Sequence, residues 1–132
     1  MNETVTWYQS LLKPAWAPPS WLFGPVWTIL YIIIVFSFGS VLYKAVSKKI
    51  SWIIALPFGL NIFFNLIFSP IQFTLQNNIL AAIDILLVLA TLIWAMVAIW
   101  PKMRWVALVN IPYLLWVCFA TILQLTVTYI NL

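Results

Sequence analysis

The chain has 132 residues, 66% of them hydrophobic and 6% charged, with a net charge of +4 and no histidine. Its mean hydropathy is +1.11. A small soluble globule buries only about two thirds of its chain's surface, so this composition excludes a water-soluble domain. The lack of histidine removes the commonest metal ligand, the usual haem ligand and the usual general base.

Met1 to Thr6 is polar, and Thr6 with Gln9 three residues later fits a capping box. A short interfacial helix is expected over Trp7–Leu12. The first twenty residues lack a basic region followed by an unbroken apolar run, so no cleavable secretory signal is expected. Lys13 and Ala17 each precede a proline, which pushes both out of the α region. The stretch to Pro19 should therefore be extended and turned. Between Trp7 and Tyr31 lie four of the nine tryptophans and four of the eight prolines. Trp and Tyr suit the membrane–water interface, where an apolar ring and one polar group are both satisfied. One reading is an aromatic belt. A sharper one is a proline-stiffened lid over a pocket.

Ser20 can cap a first membrane span over about 21–43, with Pro25 in its first turns. A second span is expected over about 50–73, kinked at Pro57. The short loop Leu75–Asn78 carries no charge. The third span covers about 79–100 and stops at Pro101. The fourth covers about 105–130 and contains Pro112. The expected fold is thus an all-α integral membrane bundle of four helices, forming one domain over 1–132.

Five of the six Lys and Arg residues fall in the lid-distal loops 44–49 and 101–104. The positive-inside rule puts those loops in the cytoplasm, and the lid and carboxyl terminus outside. The same charges read as topology and give no reason to expect nucleic-acid binding. Cys118 is the single cysteine, so no internal disulfide can form.

Polar groups inside a span are expensive, so those present should face inward. Asn61 and Asn65, four apart, share a face with Phe68 and Gln72. The stripe serves either as interhelical glue or as ligand contact. On the fourth span Tyr113, Trp116, Ala120 and Gln124 share a face, and on the first Trp27 pairs with Tyr31. Asp84 is the only acid in any span. It reads as a helix N-terminal acid or a partner for nearby hydroxyls and amides, and alternatively as a proton-coupling carboxylate.

The segment Trp7-Tyr8, Lys13-Pro14-Ala15-Trp16-Ala17-Pro18-Pro19-Ser20-Trp21-Leu22-Phe23-Gly24-Pro25-Val26-Trp27 through Tyr31 resembles the signature of the translocator protein family, also called TspO or tryptophan-rich sensory proteins. Leu60-Asn61 with Asn65 and Phe68-Ser69-Pro70, Ala82-Ile83-Asp84, and Pro112 to Trp116 with Phe119-Ala120-Thr121 are similar to its later motifs. The resemblance implies a five-helix bundle, a homodimer, and a pocket under the loop after the first helix. Here six polar residues precede Trp7, so four spans are expected. The family's ligands are porphyrins such as protoporphyrin IX and related flat hydrophobic molecules, in a bacterial cell membrane among lipid. Carried onto this chain, Tyr8, Trp27, Asn65, Trp116 and Ala120 are the ligand-facing residues, with Asn61, Gln72 and Tyr113 beside them. Lys13 could pair with a porphyrin carboxylate. Some members are described as converting protoporphyrin under light, a role that would fall to Trp27 and Trp116. No cofactor is required. The rival classes are a small proton-coupled multidrug exporter that uses Asp84, and a structural membrane subunit.

Overall fold

The computed structural model describes residues 14–17, 20–71 and 75–131, and among them it is helical without strands. A 3-10 turn, Ser20–Leu22, leads into α1, Phe23–Val46. Leu22 takes the cap position without a side-chain bond, so the expected serine cap gives way to this tightened turn. α2 is Trp52–Ser69 and α3 is Asn78–Ile99. The expected interfacial helix over Trp7–Leu12 lies outside the described residues.

The fourth expected span is not one helix. It divides into α4, Arg104–Val109, and α5, Ile111–Ile130. Pro112 explains the division. It has no N–H to give, and its ring would collide with the carbonyl four residues back. At the second position of a new helix neither matters. Asn110 sits at the break with φ −90° and ψ 3°. Its Nδ2 donates to the Val106 carbonyl at 2.8 Å and to Ser37 Oγ on α1 at 2.9 Å. The carbonyl of Asn110 accepts from Leu114 N at 2.9 Å, which opens the next helix.

Helix ends follow local chemistry elsewhere. Ser51 caps α2 by accepting from Ile53 N, and Asn77 caps α3 by accepting from Leu80 N. α1 ends at Val46 with Ser47 as its cap, after which Lys48 adopts φ 61° and Lys49 N reaches back to the Lys44 carbonyl at 2.9 Å. This left-handed closing residue is normally glycine. Pro57 stays inside α2. α2 stops at Ser69, a few residues short of the expected end, with Pro70 as its cap.

α3 lies at the centre, packed along α2 on one side and α5 on the other. Ile85, Val88, Leu92, Ala95 and Ile99 from α3 meet Leu30, Ile34, Phe38 and Val41 of α1, Phe58 of α2, and Tyr113 and Val117 of α5. The outward faces are also apolar: Val35, Phe36, Ile53, Val97 and Leu115 are each more than 60% exposed. A bundle that is apolar inside and out needs an apolar solvent. α1, α3 and α5 are long and apolar enough to cross a membrane, and α2 is a shorter apolar helix. Its 18 residues span about 27 Å at 1.5 Å each, close to the hydrocarbon thickness of a bilayer. The connection from α1 to α2 and that from α3 to α4 lie at one end, called here the basic-loop end. The other is the lid end.

Candidate functional site

The amide stripe of α2 is the hub of the bundle. Asn61 and Asn65 lie one turn apart, so both amides meet the same neighbours. Tyr113 is fully buried, and its hydroxyl sits between them. It donates to Asn61 Oδ1 at 2.8 Å and accepts from Asn65 Nδ2 at 2.7 Å. Asn61 Nδ2 donates onward to the Val88 carbonyl at 2.9 Å and to Thr91 Oγ1 at 3.2 Å on α3. At the other end Tyr31 of α1 donates to Asn65 Oδ1 at 3.1 Å. One chain of hydrogen bonds therefore links α1, α2, α5 and α3. In a site without water each of these groups needs such a partner.

Beside this chain lies a hollow of about 720 Å³ between α1 and α2, open along its outer side, where Val35, Leu42, Trp52, Leu56 and Leu66 are half or more exposed. Its stripe runs from Tyr31 to Leu42 on α1 and from Trp52 to Leu66 on α2. These lengths are about 16 and 21 Å at the helical rise. Tyr31, Asn61, Asn65 and Tyr113 give it its polar atoms, and the rest of the lining is apolar. Gly39 and Gly59 both line it, and a Cβ built on either meets nothing within 4 Å. No Lys, Arg, Asp or Glu is among the lining residues.

The second assembly is aromatic and lies at the lid end. Trp27 rests on Tyr31, with ring centroids 5.4 Å apart, and its edge meets Tyr113 at 6.4 Å. Phe23 meets Trp116 at 5.9 Å, and Trp116 meets Phe119 at 5.5 Å. In the lid, Ala17 N closes a turn on the Pro14 carbonyl at 3.0 Å. That turn sets Trp16 edge-on to Phe119 at 5.8 Å, while Ala17 packs on the cluster of Leu123 and Val127. Ala120 is partly buried against the main core.

The structure thus brings Asn61, Asn65 and Tyr113 together around one hydroxyl. It places Trp27 next to them, and Trp116 and Ala120 along α5 towards the lid. Tyr8, Gln72 and Lys13 lie outside the described residues. Asp84 is 3% exposed and lies beyond the first turn of α3, so it is not a helix N-terminal acid. It has no hydrogen bond among the described residues, and its Oδ2 is buried without a partner. The Trp116 Nε1 hydrogen is likewise buried and unpartnered. Sequence reasoning missed Thr91 and the Val88 carbonyl, which no pattern marks. It also missed the weight of Tyr31, whose signal was its place one turn after Trp27. Among the described residues no group of three or more Cys, Asp or Glu could hold a metal.

Comparison with known proteins agrees with this architecture. Residues 1–130 match the TspO/MBR family. The "Tryptophan-rich protein TspO" of Bacillus cereus is 37% identical over 128 residues, covering 96% of this chain and 81% of that protein. The protein of the same name from Chlorobaculum tepidum is 34% identical over 130 residues, covering 98% and 82%. The human "Translocator protein" is 33% identical over 126 residues, covering 93% and 73%. The chain is an integral membrane protein that belongs to the TspO/MBR family.

Proposed function

We propose that this protein is a membrane receptor of the sensor type that binds flat hydrophobic molecules of the tetrapyrrole class, protoporphyrin IX among them, within its bundle. The observation that carries the reading is the hollow of about 720 Å³ whose wall holds the Tyr31–Asn65–Tyr113–Asn61 chain. Its volume lies within the roughly 300–1,000 Å³ of small-molecule pockets. Its lining matches a guest that is apolar over most of its area and polar at a few points. The ring of Trp27, which packs on the lining residues Tyr31 and Tyr113, offers a surface on which a π-system can stack. The lining carries no fixed charge, so the propionates of a porphyrin would lie outside it. Further proposals are a homodimer in a bacterial cell membrane and a cytoplasmic basic-loop end.

The test is a titration of the protein in nanodiscs with protoporphyrin IX, followed by tryptophan fluorescence. Saturable quenching is expected, weakened at least fivefold by Asn65→Leu and by Trp116→Ala. Quenching that rises linearly with porphyrin in all three proteins would overturn the reading.

Asp84, buried without a hydrogen-bond partner among the described residues, favours a second reading as a proton-coupled exporter. Drug efflux driven by a pH gradient and abolished by Asp84→Asn would establish it. Equal efflux by the variant would dismiss it.

A further inference from the structure

We propose that the hollow between α1 and α2 seats one chain of an anionic phospholipid, whose phosphate is held by Lys44, Lys48 and Lys49 at the basic-loop end. The inference does not rest on the porphyrin reading, because its guest belongs to the bilayer itself. The two guests share a space, so a porphyrin entering the hollow displaces the chain.

Three observations support it. The first is the shape and lining of the hollow. Its outer side is open, and in a bilayer that opening meets hydrocarbon, not water. Trp52 is the lining residue of α2 nearest the basic-loop end, and Asn61 follows nine residues later, about 13 Å deeper at the helical rise. Over that depth the lining is apolar, with Phe38 and Leu42 of α1 facing Leu56 and Phe58 of α2. One leaflet of hydrocarbon is about 15 Å thick. The polar atoms of Asn61, Asn65, Tyr31 and Tyr113 therefore begin close to where a chain of that leaflet ends. Gly39 and Gly59 leave the apolar wall open enough to admit it.

The second observation is the charge at that end. The connection from α1 to α2 is closed by Lys48 N on the Ala45 carbonyl at 3.0 Å and by Lys49 N on the Lys44 carbonyl at 2.9 Å. It holds three lysines within six residues, between the lining residues Leu42 and Trp52. Topology asks for cations on this side of the membrane, and Lys102 and Arg104 already contribute. The third observation is that no acid answers the lysines. Among the described residues Asp84 is the only acid, and it stands in the lid-end half of α3. Tyr43 and Trp52, 66% and 58% exposed, flank the connection at the depth where such rings meet head groups. Lysine stems run along apolar surface and keep the ammonium at that level. An anionic lipid meets both needs, since its phosphate takes the charge and its chain fills the wall. A zwitterionic lipid brings its own cation and meets only the second.

A lipid held at head and chain differs from one drawn to a basic surface. The full chain is placed in nanodiscs of equal parts phosphatidylglycerol and phosphatidylcholine with identical chains, and native mass spectrometry reads the lipid that stays bound on release. One phosphatidylglycerol should be retained, at least fivefold over phosphatidylcholine. Lys48→Gln with Lys49→Gln should bring that ratio close to one. Lys102→Gln with Arg104→Gln removes the same charge from the neighbouring connection and should leave the ratio within about twofold of the parent. Gly39→Leu with Gly59→Leu fills the wall and should lose the retained lipid of either kind. Inorganic phosphate, added at constant ionic strength, should not displace the lipid.

Equal retention of the two lipids by the parent overturns the proposal. Equal losses from the two charge-removing pairs do so as well, because a diffuse basic surface behaves in that way. Displacement by phosphate alone points to an anion site with no use for the chain, and an unchanged phosphatidylglycerol adduct on the filled wall puts the chain elsewhere; either overturns the seat. Lys48, Lys49, Lys102 and Arg104 are all exposed, so the comparison of the two pairs stands even where the filled protein does not fold. Saturable porphyrin quenching without a retained lipid removes the lipid seat and keeps the porphyrin reading. A retained lipid without saturable quenching does the reverse.

Discussion

Replacing Tyr113 by Phe removes one oxygen atom from the centre of the bundle. The ring stays, with its packing against Trp27 and Phe38. Two buried groups then lose their partners: Asn61 Oδ1 loses its donor and Asn65 Nδ2 its acceptor. In a water-soluble protein each orphaned group costs about 1–3 kcal/mol. Within a bilayer the unfolded helices also find partners, and a single interhelical hydrogen bond averages about 0.6 kcal/mol, with a maximum near 1.7. Two such bonds lost from a site with 0% exposure give an expected destabilisation of about 1–3 kcal/mol. Reversible unfolding in mixed micelles measures it directly. The cycle with Asn61→Leu separates the shared bond from the rest, and the coupling between the two changes should be about 0.5–1.5 kcal/mol. A Tyr113→Phe protein within about 0.3 kcal/mol of the parent would show that the chain of amides and phenols does not hold the helices together.

Other outcomes follow from the same geometry. Asn110→Ala cuts the tie to Ser37 and the bond to the Val106 carbonyl, and should lower stability by about 1–2 kcal/mol in the same assay; no loss would show that the α4–α5 break needs only Pro112. Lys48 sits at φ 61°, so Lys48→Asn, a residue that tolerates this region better, should raise thermal stability by a few tenths of a kcal/mol; a lower melting temperature would contradict the strain argument. Trp16 is half exposed and touches Phe119, so Trp16→Ala should cost less than about 1 kcal/mol of stability while weakening porphyrin quenching severalfold. Unaltered quenching would remove the lid from the site.

The fold class was legible because hydropathy is a property of runs, and long apolar runs survive any error of a few residues at their ends. The break at Asn110 was not, because Pro112 is compatible both with a kinked span and with the start of a new helix. The Ser37–Asn110 bond that accompanies the break joins residues 73 apart in sequence, which no local pattern reveals. The inward stripe of Asn61 and Asn65 was legible from its spacing. Its partners were not, since periodicity says which residues share a face but not what that face meets. Asp84 stood out as a lone acid, yet its depth depends on how α3 is rotated, and that rotation buries it. The hollow between α1 and α2 left no mark in the sequence beyond Gly39 and Gly59, which read as ordinary helix glycines until both are seen on one wall.

The most direct measurement fills that wall. Leucine at both positions, Gly39→Leu with Gly59→Leu, meets no neighbouring atom at the Cβ and so should leave the unfolding transition within about 1 kcal/mol of the parent. Protoporphyrin IX titrated into the filled and the parent protein should then quench the parent saturably and bind the filled protein at least tenfold more weakly. Equal affinity in a folded, filled protein would contradict the account, because the guest would have to sit somewhere other than between α1 and α2.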